Sequence, residues 1–159
     1  MSPIEFLTAY SGRWHGMNRL YVNPNDPPDE SESKLTITPL LRNSFVRIDQ
    51  TWAFQGRPQE GSLLVGADGD ANQVSVHWID TFHMGRKVMA CIGPIGHEHG
   101  IDVLGSYAAP PGPDWGWRIQ IINPAPDRLD IRMFNISPEG SEALAVNATY
   151  NSASGARPE

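Results

Sequence analysis

Ser11-Gly12-Arg13-Trp14-His15-Gly16 is the stretch on which the fold turns. It follows a segment patterned as a short helix and precedes a long series of turn-punctuated runs patterned as strands. Gly12 lets the chain turn sharply out of the helix. Trp14, two residues on, is large enough to plug the closed end of a β-barrel. Upstream, Ser2-Pro3-Ile4-Glu5 has the form of a capping box with Pro at the first helical position. Phe6, Leu7 and Tyr10 then share one helical face, so the first dozen residues predict a one-sided lid that Gly12 ends. Downstream, the apolar period becomes two. Strands are predicted near residues 13–22, 33–41, 44–55, 59–67, 73–80, 86–93, 99–108, 116–123, 128–136 and 142–150.

Turn chemistry separates them: Arg42-Asn43, Gln55-Gly56, Asp68-Gly69-Asp70, Gly93-Pro94, Pro110-Pro111-Gly112-Pro113, Asn123-Pro124 and Pro138-Glu139-Gly140. Short sequential strands favour an up-and-down barrel over a sandwich, and no helical stretch is long enough for a parallel crossover. The predicted fold class is all-β: an antiparallel up-and-down β-barrel of about ten strands with a short N-terminal helix. It forms one domain over residues 1–151, with 152–159 as a tail.

Composition agrees. Of 159 residues, 40% are hydrophobic and 19% charged, as in a folded globular chain. The 15 Gly and 14 Pro fall between apolar runs, where many short strands need many turns. Net charge is −6, and the ten Arg are scattered from Arg13 to Arg157, which argues against a nucleic-acid partner. The single Cys91 excludes an internal disulfide and a Cys-based zinc site, and its apolar surroundings predict a buried, inert thiol. The N-terminus has no basic n-region, and no apolar run approaches the ~20 residues of a membrane span. The expectation is a cytoplasmic protein with no membrane association.

Two segments break the strand rhythm. Residues 23–33 carry four acids and three Pro with no base, and residues 108–115 carry three Pro. Each reads by default as a solvated loop; the functional reading of the first is a portal flap over the barrel mouth.

Alternation sets the facing of the side chains. It places Trp14, Gly16, Asn18 and Leu20 together inside the first strand, and Val46, Ile48, Gln50 and Trp52 inside the third. The same rule turns inward Val74, Val76, Trp78 and Asp80; Trp117, Ile119 and Ile121; and Leu129, Ile131, Met133 and Asn135. Trp78 and Asp80 make the sharpest constellation, an aromatic wall beside an acceptor at a strand end, suited to orienting an amphipathic ligand. The plain alternative is that Trp78 fills core while Asp80 caps the next turn by accepting N–H groups from Thr81 or Phe82. His77 faces away from Asp80.

His97-Glu98-His99 is the one metal-like signal, but it lies between two Gly in a hairpin turn with no third ligand dictated, so no metal is expected. Haem ligation through a late-strand His has no support, since no His follows His99, and no cofactor is expected. Asp68-Gly-Asp70-Ala-Asn72 fails as a calcium loop at the position needing Gly. The motifs of serine hydrolases, phosphate loops and zinc peptidases do not occur. The sequon Asn147-Ala-Thr149 falls inside a predicted strand.

Gly12-x-Trp14, Phe54-Gln-Gly56 leading into Gly61, Gly66-x-Asp68, Trp78-Ile79-Asp80, Met133-Phe134 and Thr149-Tyr150, in that order and spacing, resemble a bacterial calycin-type family of lipocalin-like domains of unassigned function. The resemblance runs from about residue 6 to residue 151. It implies a closed or nearly closed barrel of the lipocalin and fatty-acid-binding kind with a ligand-sized interior, and it brings no catalytic residues. Where that family tends to show Glu-x-Thr-Tyr-x-Arg, this chain has Asn147-Ala148-Thr149-Tyr150-Asn151-Ser152. Arg132 stands where an acid is usual. If inward, these changes would favour an anionic or polar ligand; alternation instead puts Arg132 outside.

Three functional readings follow. The first is a binding protein holding a small hydrophobic or amphipathic molecule, with Trp52, Trp78, Trp117 and Met133 as apolar walls, Gln50, Asp80 and Asn147 as polar anchors, and Gly12 and Trp14 as the barrel plug. The second is an interaction module whose interior is packed with side chains. The third is a cavity enzyme using Asp80 with His77 or His83, which needs an ionisable group desolvated in the cavity. Outward-facing Met17 and Tyr21 form the patch from which a homodimer contact would be built.

Overall fold

The computed structural model describes residues 2–96 and 100–153. The His97-Glu98-His99 turn and the tail from residue 154 lie outside the described residues. The helix forms as its sequence dictates: α1 spans Pro3–Ala9. The Ser2 hydroxyl accepts from Glu5 N at 3.1 Å and the Glu5 carboxylate accepts from Ser2 N at 2.8 Å, closing the capping box. The cap at the other end is Tyr10 rather than Gly12. Gly12, at φ +114°, is the hinge into the first strand, a conformation that L side chains rarely adopt.

Ten strands follow among the described residues: β1 Gly12–Leu20, β2 Asp29–Leu40, β3 Phe45–Phe54, β4 Arg57–Asp68, β5 Gln73–Asp80, β6 Met89–Pro94, β7 Gly100–Tyr107, β8 Trp115–Ala125, β9 Arg128–Ile136 and β10 Glu142–Ser152. Each pairs antiparallel with its neighbour in sequence, and β1 pairs with β10, so the sheet closes into an up-and-down barrel with no free edge.

Beyond shifts of one or two residues at strand ends, four features differ from the sequence reading. β2 begins at Asp29, so the acidic loop shortens to residues 21–28. Asn123-Pro124 does not turn the chain; β8 bulges there and runs on to Ala125, with the Asn123 amide donating to Ala125 O and Arg128 O. Gly93-Pro94 ends β6 rather than leaving it. Residues 86–88, predicted to open β6, belong to a loop over 81–88, and that loop proves central below.

Most of the inward sets given by alternation are buried: Val46, Ile48, Val76, Ile119, Ile121, Leu129 and Ile131 are sealed from solvent, as is Val103 of β7, while Gly16 and Asn135 are half-buried. Cys91 is fully buried, and burial pushes its thiol up to about 11. Arg132 lies outside, where its guanidinium reaches the buried Asp130 carboxylate at 3.4 Å alongside Arg128 at 2.9 Å, so the idea of an inward charge switch at Arg132 is set aside. Helix α1 closes the end at which β1 starts: Ile4, Phe6 and Leu7 are buried, the Tyr10 ring lies 5.2 Å from Phe6 and 5.5 Å from Trp14, and the Trp14 indole donates to Tyr10 O at 2.8 Å. No helix among the described residues is long and apolar enough to cross a membrane.

Candidate functional site

At the opposite end the strand termini bring a different set together. Gln50 of β3, Gly61 of β4 and Asp80 of β5 stand side by side in register. Gly61 suits that position, because a Cβ would crowd the Asp80 Cβ at 3.0 Å and the Trp52 ring at 3.3 Å. Its bare backbone lets Trp52 and Asp80 converge. With Asn18, Leu20, Gln50, Trp78, His83, Met133 and Val146 they enclose an interior void of about 10 Å³, room for one oxygen-sized guest. Around it lie the buried side chains of the core.

A larger space lies at the mouth. A chamber of about 370 Å³ is walled by Trp78, Trp117, Tyr107, Met84, Met89 and His83, with Lys87 at its edge. Trp78 and Trp117 stack at 5.2 Å with their planes 13° apart. Tyr107 meets Trp117 edge-on at 6.4 Å and its hydroxyl donates to Asn135 Oδ1 at 2.6 Å. Trp78 and His83 border both the chamber and the interior void, and so partition them. Larger open grooves of about 530 and 440 Å³ run mainly along the outer face of the strands, but they do not gather aromatic and polar groups in this way.

His83 is held from three sides. Its Nδ1 lies 2.7 Å from Asp80 Oδ2, and the ring packs against Trp78 and Trp117, each at 5.3 Å, and edge-on against Phe82 at 4.7 Å. Asp80 Oδ1 accepts from His83 N at 2.6 Å and Met84 N at 2.8 Å. Asp80 therefore does cap the turn after β5, through His83 and Met84 rather than Thr81 or Phe82, and it orients an imidazole as well.

Deeper in, Tyr150 shares its hydroxyl with Ser33 at 2.8 Å and accepts from Gln50 Nε2 at 3.1 Å, while burial pushes the phenol up to about 12. Among the described residues, three buried donors of the mouth lack a protein partner, Asn18 Nδ2, Trp52 Nε1 and Trp117 Nε1; the Thr8 hydroxyl of α1 is a fourth, away from this site. Buried polar groups are nearly always paired, so a cluster of unpaired donors calls for a guest with an acceptor atom.

Of the residues singled out in the sequence, Gln50, Trp52, Trp78, Asp80 and Met133 line one void, and Trp117 walls the adjoining chamber. Gly12 and Trp14 are at the closed end. Asn147 does not join them. It pairs between Arg132 and Arg19 on the other face of β10, beyond the bulge between Leu144 and Val146. His83 carries more of the site than the sequence assigned to it; the signal was a strand-ending Asp with a His three residues on.

A family model described as "Protein of unknown function (DUF1579)" matches residues 2–152. The solved structure of Rv2717c from M. tuberculosis is similar over 99% of this chain and 98% of its own at 13% identity, with a TM-score of 0.63, a likeness of fold. A redesigned β-barrel is similar over 92% of this chain and 93% of its own at 11% identity, with a TM-score of 0.43. No curated protein matches the chain.

Proposed function

The chain belongs to the DUF1579 family of proteins of unknown function, and we propose that it binds a small, flat, largely apolar molecule bearing an oxygen acceptor at the open end of its barrel, a lipocalin-like use of a calycin-type fold. The observation that carries this reading is the chamber of about 370 Å³ faced by the stacked Trp78 and Trp117, which adjoins a one-oxygen void bordered by the partnerless donors of Asn18 and Trp52. Stacked indoles favour a planar guest. Donors without acceptors favour a carbonyl over a hydrocarbon, because a guest that leaves them unpaired forgoes a hydrogen bond in a desolvated site. Asp80 borders the same void, so a neutral carbonyl suits it better than a carboxylate.

The test pairs two probes of one shape, 2-acetylnaphthalene and 2-ethylnaphthalene, followed by quenching of Trp fluorescence and by the indole ¹H–¹⁵N signals. The ketone should bind on the order of tenfold more tightly and move the Trp52 or Trp117 indole signal downfield, while Trp14, already bonded to Tyr10 O, stays still. Native mass spectrometry of protein from its own host, against a denatured sample, would then identify the natural guest. No response to either probe together with a clean apo mass would favour the filled-barrel interaction module instead.

A further inference from the structure

We propose that Asp80 and His83 form a proton-transfer site, with His83 as the base and Asp80 as its positioning residue, acting on a flat carbon acid bound in the mouth chamber. The inference rests on the binding reading above, since the chamber must first hold the molecule. Capping the turn after β5 uses only Asp80 Oδ1, which takes both backbone N–H groups. The second oxygen is left for His83 Nδ1 at 2.7 Å. The Asp80 side chain is 1% exposed and the His83 ring 19% exposed, so the carboxylate is withheld from water while the imidazole keeps an accessible edge. With Nδ1–H given to the carboxylate, the basic lone pair belongs to Nε2, and Nε2 makes no hydrogen bond to the protein among the described residues.

The surroundings specify the chemistry. A general base needs an orienting partner on its far nitrogen and a substrate space on its near side. Asp80 supplies the first, and the chamber bounded by Trp78, Trp117, Tyr107 and Met89 supplies the second. No hydroxyl or thiol is hydrogen-bonded to His83 among the described residues, and Cys91 is fully buried, so His83 has no nucleophile to activate. It acts on the bound molecule directly. The other titratable groups of the chamber are Lys87 and Tyr107, and Lys87 is the rival base.

5-Nitrobenzisoxazole is a suitable probe: flat, aromatic, and carrying one acidic C–H. The base takes the C3 proton, the C–H pair becomes the third bond of a nitrile, and the N–O bond breaks to release a coloured phenolate. The proton passes from Nε2 to water, and no co-reactant is needed. Binding is read by Trp fluorescence and turnover by absorbance.

Wild-type protein should turn the probe over about 10²-fold or more faster than His83→Gln, with a pH profile that follows the His83 titration measured by NMR in the same protein. Asp80→Asn should lose activity to a similar degree and lose that pH profile while still binding the probe, because an amide donating to Nδ1 fixes the proton on Nε2. His77→Gln, on the exposed outer face of β5, should match wild type. Binding with equal turnover in wild type and His83→Gln, or loss in Lys87→Met instead, would overturn the proton-transfer site and leave the binding reading standing. No binding would overturn both. If His83→Gln fails to fold, a wild-type pH profile that departs from the His83 titration overturns the proposal alone.

Discussion

At the helix end of the barrel, Trp14 is packed under Tyr10 and its indole nitrogen donates to a backbone carbonyl at 2.8 Å; at the mouth, the indoles of Trp52 and Trp117 are buried to a similar degree and have no partner. Both ends use Trp for its bulk, and only one satisfies its polar atom. Leaving a buried donor unpaired costs about 1–3 kcal/mol, so the two mouth indoles have the capacity to gain from a guest that Trp14 lacks. The closed end is built to hold the fold, whereas the mouth keeps unpaired donors, a chamber and an anchored imidazole. Local departures from full satisfaction mark functional sites in otherwise consistent folds.

This contrast can be broken by measurement. The largest effect is expected for Trp14→Ala, which should cost about 3–5 kcal/mol in chemical denaturation. Trp117→Ala should cost clearly less, because one side of that ring borders open space, and equal losses would remove the asymmetry between the ends.

Alkali should act on two buried acids of the interior. The Tyr150 phenol is raised from 10.0 to about 12 and the Cys91 thiol from 9.0 to about 11 by burial. A group raised in the folded state contributes stability that is complete below its unfolded pKa and lost as pH climbs through its folded one. Urea midpoints should therefore fall from about pH 9, with about 3 kcal/mol attributable to Tyr150 by the end of its window near pH 12. Tyr150→Phe should flatten the later part of that fall, and an unchanged profile would show that Tyr150 is not buried as described.

A finer comparison is Trp14→Phe against Trp52→Phe. The first loses a made hydrogen bond and the second sheds an unpaired donor, so Trp14→Phe should be worse by about 1–2 kcal/mol; the reverse order would mean that Trp52 has a partner. Smallest is Ser2→Ala, which removes one arm of the capping box. It should cost about 1 kcal/mol and leave probe binding at the mouth unchanged. A change in binding would mean that the lid and the mouth communicate.

Strand facing is legible because alternation has a period of two and Val, Ile and Leu recur on the buried face of most strands. That regularity places Trp78 beside Asp80 and Gln50 beside Trp52 from the sequence alone. Asn147 was misplaced because its assignment followed a position in the resembling pattern, whereas its facing is set by β10 beyond the bulge at Ala145. His83 was underweighted because it sits past the end of β5, where alternation no longer applies and only the carboxylate of Asp80 fixes the ring.

The sequence by itself determined the capped helix, the strand count and most of the inward sets, because each depends on neighbours within a few residues, and its single Cys excluded an internal disulfide. Only the tertiary structure decided that the void beside Gln50 and Asp80 is one oxygen in size, that a chamber opens at the mouth, and that Asp80 holds His83 between Trp78 and Trp117. Those facts depend on how closely strands approach and how side-chain volumes sum across the barrel, and no local pattern encodes a sum over residues as distant as Asn18, Asp80 and Met133.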